Sequence, residues 1–338
     1  MGCMGDQVLN VGIGGMGRAV LISCLVLAVL FPSSVLGQSY INQSALEDIL
    51  SRRAEDLDEI PEVYYDYYVM SSERGNSVLA RNTMYKVIGE GDAQRGRRHS
   101  KLIELLNRKL LENVAVGDTL VIPADGAFEL DFRAYSPFPR YYPGASNFEK
   151  LFIIHKSVQA WAAYEYGQLA RWGIVNTGSK ENPTPTGRYN FNWKTEYRVS
   201  SLSPPGDPWE MYWVFNIHDE RGIHVHQYAM PTGGPTSKGC VRLVEDDAKW
   251  IYEWADTWET PVGNGVGSMG RMPTKPGTTV LVLGEDPPGD PLPFDFLAGY
   301  PILKRIELPA HPYNVPAGTA QQAHFDRLRG QRSQIGTR

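Results

Sequence analysis

From Phe148 to about Gly284 the chain alternates short apolar runs with turn residues. Lys150–Glu165 is one long β-like run. Tyr166-Gly167 is a turn, and Gln168–Val175 returns as its hairpin partner. Thr184-Pro-Thr-Gly187 is a second turn, followed by the alternating Arg188–Trp193. Met211–Ile217 is strongly apolar, Ile223–Tyr228 is β-like, and Thr279–Gly284 supplies a last strand. Only Glu245–Trp258 has helical spacing here. Many short strands with one helix predict a mainly-β sandwich or barrel over 148–285.

The flanks read differently. In 38–125 the leucines of Lys101–Leu111 recur at helical spacing. Met84–Ile88 and Val116–Pro123 are read as strands, so a small α/β unit is expected. Residues 126–147, rich in Pro, Tyr and Phe, are read as a linker or packed strap. Residues 286–338 are Pro-rich and then polar with few apolar positions, which predicts a disordered tail.

The N-terminus narrows the compartment. Arg18 precedes the apolar run Ala19–Phe31, which Pro32 ends, and Val35-Leu36-Gly37 precedes Gln38 as a small-residue cleavage site would. Residues 1–37 are therefore read as a signal peptide, and the chain as exported to the periplasm or cell envelope. The run is shorter than the roughly 20 residues that span a bilayer, so no lasting membrane span is expected after cleavage. Gly12-Ile-Gly-Gly-Met-Gly17 matches a dinucleotide-binding pattern, but its would-be helix is the signal's apolar run, and the next acid is Glu47. Leu21-Ile-Ser-Cys24 resembles a lipidation box with too few apolar residues ahead of it.

Net charge is −5, without the concentrated basic face of a nucleic-acid protein. Cleavage after Gly37 leaves one of the three cysteines, Cys240. A lone cysteine in an oxidising compartment is a buried hydrophobe or a reactive thiol. It follows the Gly/Pro/Thr/Ser-rich loop Met230–Gly239 and precedes the helical run, where backbone N–H groups can gather. His224 and His226, two apart in a β-like run, point to one face, and either can meet Cys240 if the loop folds back. An imidazole beside a thiol is the usual route to a nucleophilic thiolate. His-x-His with one Cys fits no standard zinc signature, and no metal or other cofactor is expected.

Ser237-Lys-Gly-Cys-Val-Arg-Leu243 resembles the Ser-His-Gly-Cys-Ile/Val-Arg-Leu signature of the L,D-transpeptidases (YkuD-type domain). His226–Pro231, the Thr184-Pro-Thr-Gly187 turn, and the hairpin with Gln159 and Trp161 are similar to that family too. The resemblance covers roughly 148–285 and implies a fold of that type, with one helix after the cysteine. It implies Cys240 as nucleophile and His226 as the activating histidine, with His224 as the alternative. It also implies an oxyanion site at the Gly239 and Cys240 N–H groups, and a pocket shaped by Ser237 and Arg242. Lys238 stands where the family usually has histidine. The implied reaction is acyl transfer between peptidoglycan stem peptides, releasing D-Ala and making 3→3 crosslinks. The alternatives are an L,D-carboxypeptidase or other stem-peptide hydrolase, and a non-catalytic wall-binding protein. Asn107 and Val116–Pro123 resemble the second half of a LysM glycan-binding module.

Overall fold

The structure, a computed structural model, describes residues 41, 46–53, 56–259 and 275–335. The expected signal segment lies outside them. In chain order the elements are α1 (Glu47–Leu50), β1 (Tyr65–Val69), α2 (Ser77–Ile88), α3 (Ala93–Asn107), β2 (Thr119–Pro123), β3 (Leu151–His155), β4 (Ala160–Glu165), β5 (Gln168–Ile174) and β6 (Gly187–Asn190). Then come β7 (Lys194–Val199), β8 (Glu210–His218), β9 (Ile223–Gln227), β10 (Val241–Leu243), α4 (Glu245–Trp254), β11 (Thr279–Leu283), β12 (Phe294–Phe296), β13 (Pro301–Leu303) and α5 (Ala320–Ile335). Among the described residues no helix is long and apolar enough to cross a membrane.

Two sheets build the strand-rich region. One has the order β5-β4-β3-β11-β6 and the other β10-β9-β8-β7. In the five-stranded sheet β3 and β11 run parallel, Leu151 opposite Thr279. Both are nearly continuous apolar runs, as strands covered on two faces must be. Alternation divides their side chains. Phe152, Ile154, Val280 and Val282 point toward Phe215, Val225, Val241 and Ile251, in a core shared with the second sheet and α4. Leu151, Ile153 and Leu281 point the other way, into a core shared with Leu102, Leu106, Phe132 and Phe294. The mainly-β expectation holds.

Three local expectations are corrected. The run Lys150–Glu165 is two strands, because a short 3₁₀ turn at Lys156–Val158 and left-handed Gln159 (φ 46°) reverse the chain between β3 and β4. Met84–Ile88 is not a strand but the end of α2. Asn76 caps that helix through Val78 and Leu79 N–H, and Ala80, Met84 and Ile88 form one buried stripe at i, i+4, i+8. The stretch read as a disordered tail carries the β12–β13 hairpin and α5. Phe294 packs edge-on against Tyr65 at 5.0 Å, and the buried Arg188 guanidinium is held by Gln322 and Asp326.

Residues 126–147 are a buried strap, with Phe128, Phe132, Tyr135, Phe138 and Tyr142 all inside the core. Phe132 stacks on Trp172 of β5 at 4.6 Å, and its carbonyl accepts the Trp172 indole N–H at 2.8 Å. The small unit ahead of it, β1–α2–α3–β2, closes by antiparallel pairing of β1 with β2. Its helix side chains enter the same core as the inner face of the strap.

Candidate active site

The site grows out of a short parallel ladder. In the β9–β10 pair Val241 lies opposite Val225, Arg242 opposite His226 and Leu243 opposite Gln227. Val225, Val241 and Leu243 fill the core between the sheets. Alternation therefore turns His224, His226, Cys240 and Arg242 to the opposite face. Cys240 stands one step before the first rung, which places it beside His224. Its Sγ is 3.9 Å from His224 Nδ1 and 4.0 Å from the Gly222 carbonyl oxygen. The first distance is at the long end for a sulfur contact. Trp193 packs edge-on against the His224 ring at 5.3 Å, and His224 Nε2 is buried with no hydrogen-bond partner among the described residues.

His226 is differently engaged. Its Nδ1 lies 2.8 Å from the Gln227 carbonyl. A carbonyl only accepts, so Nδ1 carries the proton. The ring meets Tyr228 edge-on at 5.9 Å and lines the pocket above Cys240. Of the two expected histidines, the structure brings His224 to the sulfur and leaves His226 on the pocket wall.

Burial sets the protonation states. It pulls His224 down to about 4; the Arg198 charge adds to this and a hydrogen bond to Gly222 opposes it. Burial pulls His226 down to about 3. The same loss of solvent pushes the Cys240 thiol up, against weaker downward pulls from the His224 backbone and the Arg242 charge. At neutral pH both imidazoles are therefore neutral and Cys240 is a thiol. The pair can work as nucleophile and general base, with the proton moving during attack.

Four hydrogen bonds shape the turn into Cys240. Ser237 Oγ donates to the Cys240 carbonyl at 2.5 Å and accepts the Gly239 N–H at 3.0 Å. Gly239 has φ +107°, a conformation open to glycine and strained for other residues. Buried Thr184 donates to the Gly239 carbonyl at 2.8 Å and accepts the Gly178 N–H at 2.9 Å. Of the two expected oxyanion donors, Gly239 N–H is thus occupied by Ser237. Cys240 N–H has no acceptor among the described residues.

Beneath this turn lies the segment after β5. Asn176 and Arg242 exchange backbone hydrogen bonds at 3.1 and 2.9 Å. Thr236 and Ser237 N–H both reach the Thr177 carbonyl at 3.0 Å. Buried Gln159 in turn grips Thr177, giving its amide to Thr177 Oγ1 at 2.7 Å and taking the Thr177 N–H at 2.9 Å. Asn176 Nδ2 donates to the Thr232 and Gly234 carbonyls, and Thr236 Oγ1 donates to Asn176 Oδ1 at 2.7 Å.

The mouth of the pocket is cationic on one side and apolar on the other. Arg242 lies over the Tyr228 ring at 4.9 Å and donates to the Ala229 carbonyl at 3.4 Å. Lys238 is exposed on the rim. The β7–β8 connection contributes Leu202 and Trp209 to the pocket lining, and β8 contributes Met211. Sequence reasoning did not place Thr184, Asn176, Trp193 or Trp209 at the site. The turn signature around Thr184 was the one signal available, since the others come from segments remote in the chain.

Residues 149–282 match the family model described as YkuD, the L,D-transpeptidase catalytic domain. No curated protein matches the chain. Among solved structures, an L,D-transpeptidase from Stackebrandtia nassauensis is 22% identical, over 41% of this chain and 57% of its own, with TM-score 0.32. One from Mycobacterium smegmatis is 18% identical over 40% of this chain and 59% of its own, with TM-score 0.30. One from Mycobacterium tuberculosis H37Rv is 18% identical over 51% and 74%, with TM-score 0.30. The chain thus spans less than two thirds of the first two. Cys240, His224 and His226 all fall inside the stretch, residues 149–282, that matches the model of the L,D-transpeptidase catalytic domain.

Proposed function

We propose that this domain transfers acyl groups between peptidoglycan stem peptides, with Cys240 as nucleophile and His224 as its base. The observation that carries the reading is the Sγ–Nδ1 approach of 3.9 Å beneath a pocket rimmed by Arg242 and Lys238. His224 takes the thiol proton as sulfur attacks the carbonyl between the L-centre of the third stem residue and the terminal D-Ala. The oxyanion that forms meets the unengaged Cys240 N–H. The C–N bond breaks, the imidazolium gives its proton to the departing D-Ala amine, and a thioester remains. An amine of a second stem then attacks the thioester and loses its proton to His224. The new amide is the 3→3 crosslink, and the sulfur leaves with that proton as thiol. Arg242 and Lys238 supply positive charge for substrate carboxylates. Water in place of the amine gives an L,D-carboxypeptidase on the same site.

The test uses a purified tetrapeptide stem donor, a stem acceptor and product masses. Cys240→Ala is expected to abolish transfer. His224→Ala is expected to lower it by about 10²–10⁴-fold, the usual range for a general base, and His226→Gln by far less. Equal loss in both histidine variants would reject the assignment of His224, and full activity in Cys240→Ala would reject the reading itself. A water adduct without an amine adduct would make the protein a hydrolase. Acylation of Cys240 by a carbapenem, which reacts with this family, is expected in the intact protein.

A further inference from the structure

One buried side chain from outside the matched domain reaches the loop that carries Cys240. Arg108 ends α3 in the left-handed conformation, φ +51°, where glycine is the usual residue. It is 5% exposed. Its Nη2 donates to the Val158 carbonyl, and its Nη1 to the Gly233 carbonyl at 3.2 Å. A Cβ on Gly233 would stand 2.9 Å from the Arg108 stem, so the glycine leaves the space that the arginine fills.

Both contacts lead to the same place. The Val158 carbonyl belongs to the corner that sets Gln159, whose side chain grips Thr177. Gly233 sits between Thr232 and Gly234, whose carbonyls are held by Asn176. Asn176 and Thr177 are the two residues that pair with Arg242 and with Thr236–Ser237. A guanidinium suits this task because its N–H groups diverge in a fixed fork and bond two segments at once. A glycine would satisfy the backbone of the helix end with less strain, but would leave two buried carbonyls without these donors.

We propose that Arg108 is a positioning residue that holds the Cys240 loop in its reactive geometry, making the N-terminal α/β unit a working part of the catalytic site. The proposal rests on the reading of Cys240 as the nucleophile, and its test separates the two. The full-length chain is compared as wild type, Arg108→Gly and Arg108→Lys. Amide hydrogen exchange is followed by mass spectrometry over 232–240, with β11 as internal reference. Cys240 alkylation by iodoacetamide and stem-peptide transfer are measured alongside.

Arg108→Gly keeps a residue suited to the left-handed helix end. It is expected to speed exchange over 232–240 by about ten-fold with β11 unchanged, the result of losing charge-assisted bonds from one local segment. Transfer is expected to lose kcat with little change in KM, and Arg108→Lys to fall between wild type and Arg108→Gly. Unchanged exchange over 232–240 in a folded Arg108→Gly protein overturns the proposal. If that variant does not fold, Gly233→Ala, which pushes the Arg108 stem aside, must show the same local acceleration, and its absence overturns the proposal equally. A wild type that is alkylated at Cys240 but transfers no acyl group removes the proposed reaction and leaves the exchange result standing.

Discussion

The hydroxyl of Thr184 donates to the carbonyl of Gly239, 2.8 Å away, and so fixes the peptide that leads directly into Cys240. The same oxygen accepts the Gly178 N–H, which joins three separate segments of chain at one fully buried atom. Thr184→Val keeps the shape and removes both bonds. We expect it to cost about 1–3 kcal/mol of stability, the range for stranding buried partners. Acyl transfer is expected to fall further than the loss of folded protein explains, because the Cys240 N–H, the proposed oxyanion donor, shifts with the Gly239 peptide. Urea unfolding and kcat together check this, and a variant with normal kcat would show that the turn holds without Thr184.

Acid stability follows from the buried imidazoles. Burial lowers His155 and His224 to about 4 and His226 to about 3, from an ordinary 6.5. The folded state therefore binds fewer protons than the unfolded chain at pH values between those limits. The stability this contributes is present in full above pH 6.5 and is lost as pH falls toward 4, at up to about 1.4 kcal/mol per unit for each group. Urea midpoints at pH 7.5, 6 and 5 are expected to fall in that order, and His226→Gln to flatten the slope. A midpoint independent of pH over this window would contradict the burial of all three rings.

A buried ion pair anchors α4 under the five-stranded sheet. Arg171 Nη2 is 2.8 Å and Nε 3.0 Å from Asp247 Oδ1, and the Trp161 indole donates to Oδ2 at 3.3 Å. A Cβ at Gly173 would come within 2.1 Å of Asp247 Oδ2, so the glycine keeps the space open for the carboxylate. Asp247→Leu strands the guanidinium and is expected to cost about 3–5 kcal/mol, while adding Arg171→Met recovers most of the loss. Thermal or urea unfolding of the single and double variants decides it, and equal stability in the two would mean the arginine finds another partner.

Much of the strand-rich region was legible because its periodicity is local. The β4–β5 hairpin, β8 and β11 follow from apolar runs and from Tyr166-Gly167, each readable without knowing what lies opposite. Met84–Ile88 misled because five apolar-rich residues fit a strand as well as a helix. The cap at Asn76 and the stripe through Ala80 decide it, and both lie upstream of the segment that was read. The polar C-terminal stretch misled for another reason. Its order comes from a few scattered apolar residues, Phe294, Leu303, Ile306 and Val315, that join a core with Tyr65, and from the hold of Gln322 and Asp326 on Arg188, partners far back in the chain. At the site, the shared face of His224 and His226 follows from strand alternation. Which of them meets Cys240 does not, because that depends on a register set across a long loop.

That register has a consequence for how the motif can vary. The partner of Cys240 is chosen by the rungs Val241–Val225 and Leu243–Gln227, not by the number of residues between the histidine and the cysteine. Lengthening or trimming the connection between Ala229 and Thr232, ahead of the residues that Asn176, Thr177 and Arg108 hold, is expected to leave the His224–Cys240 pair unchanged as long as those rungs stay in step. Sliding the short strand forward by two positions would hand the thiol to the other imidazole with every core side chain still facing inward. The spacing between histidine and cysteine is therefore a loose character of such a chain, and the two valines are its tight one.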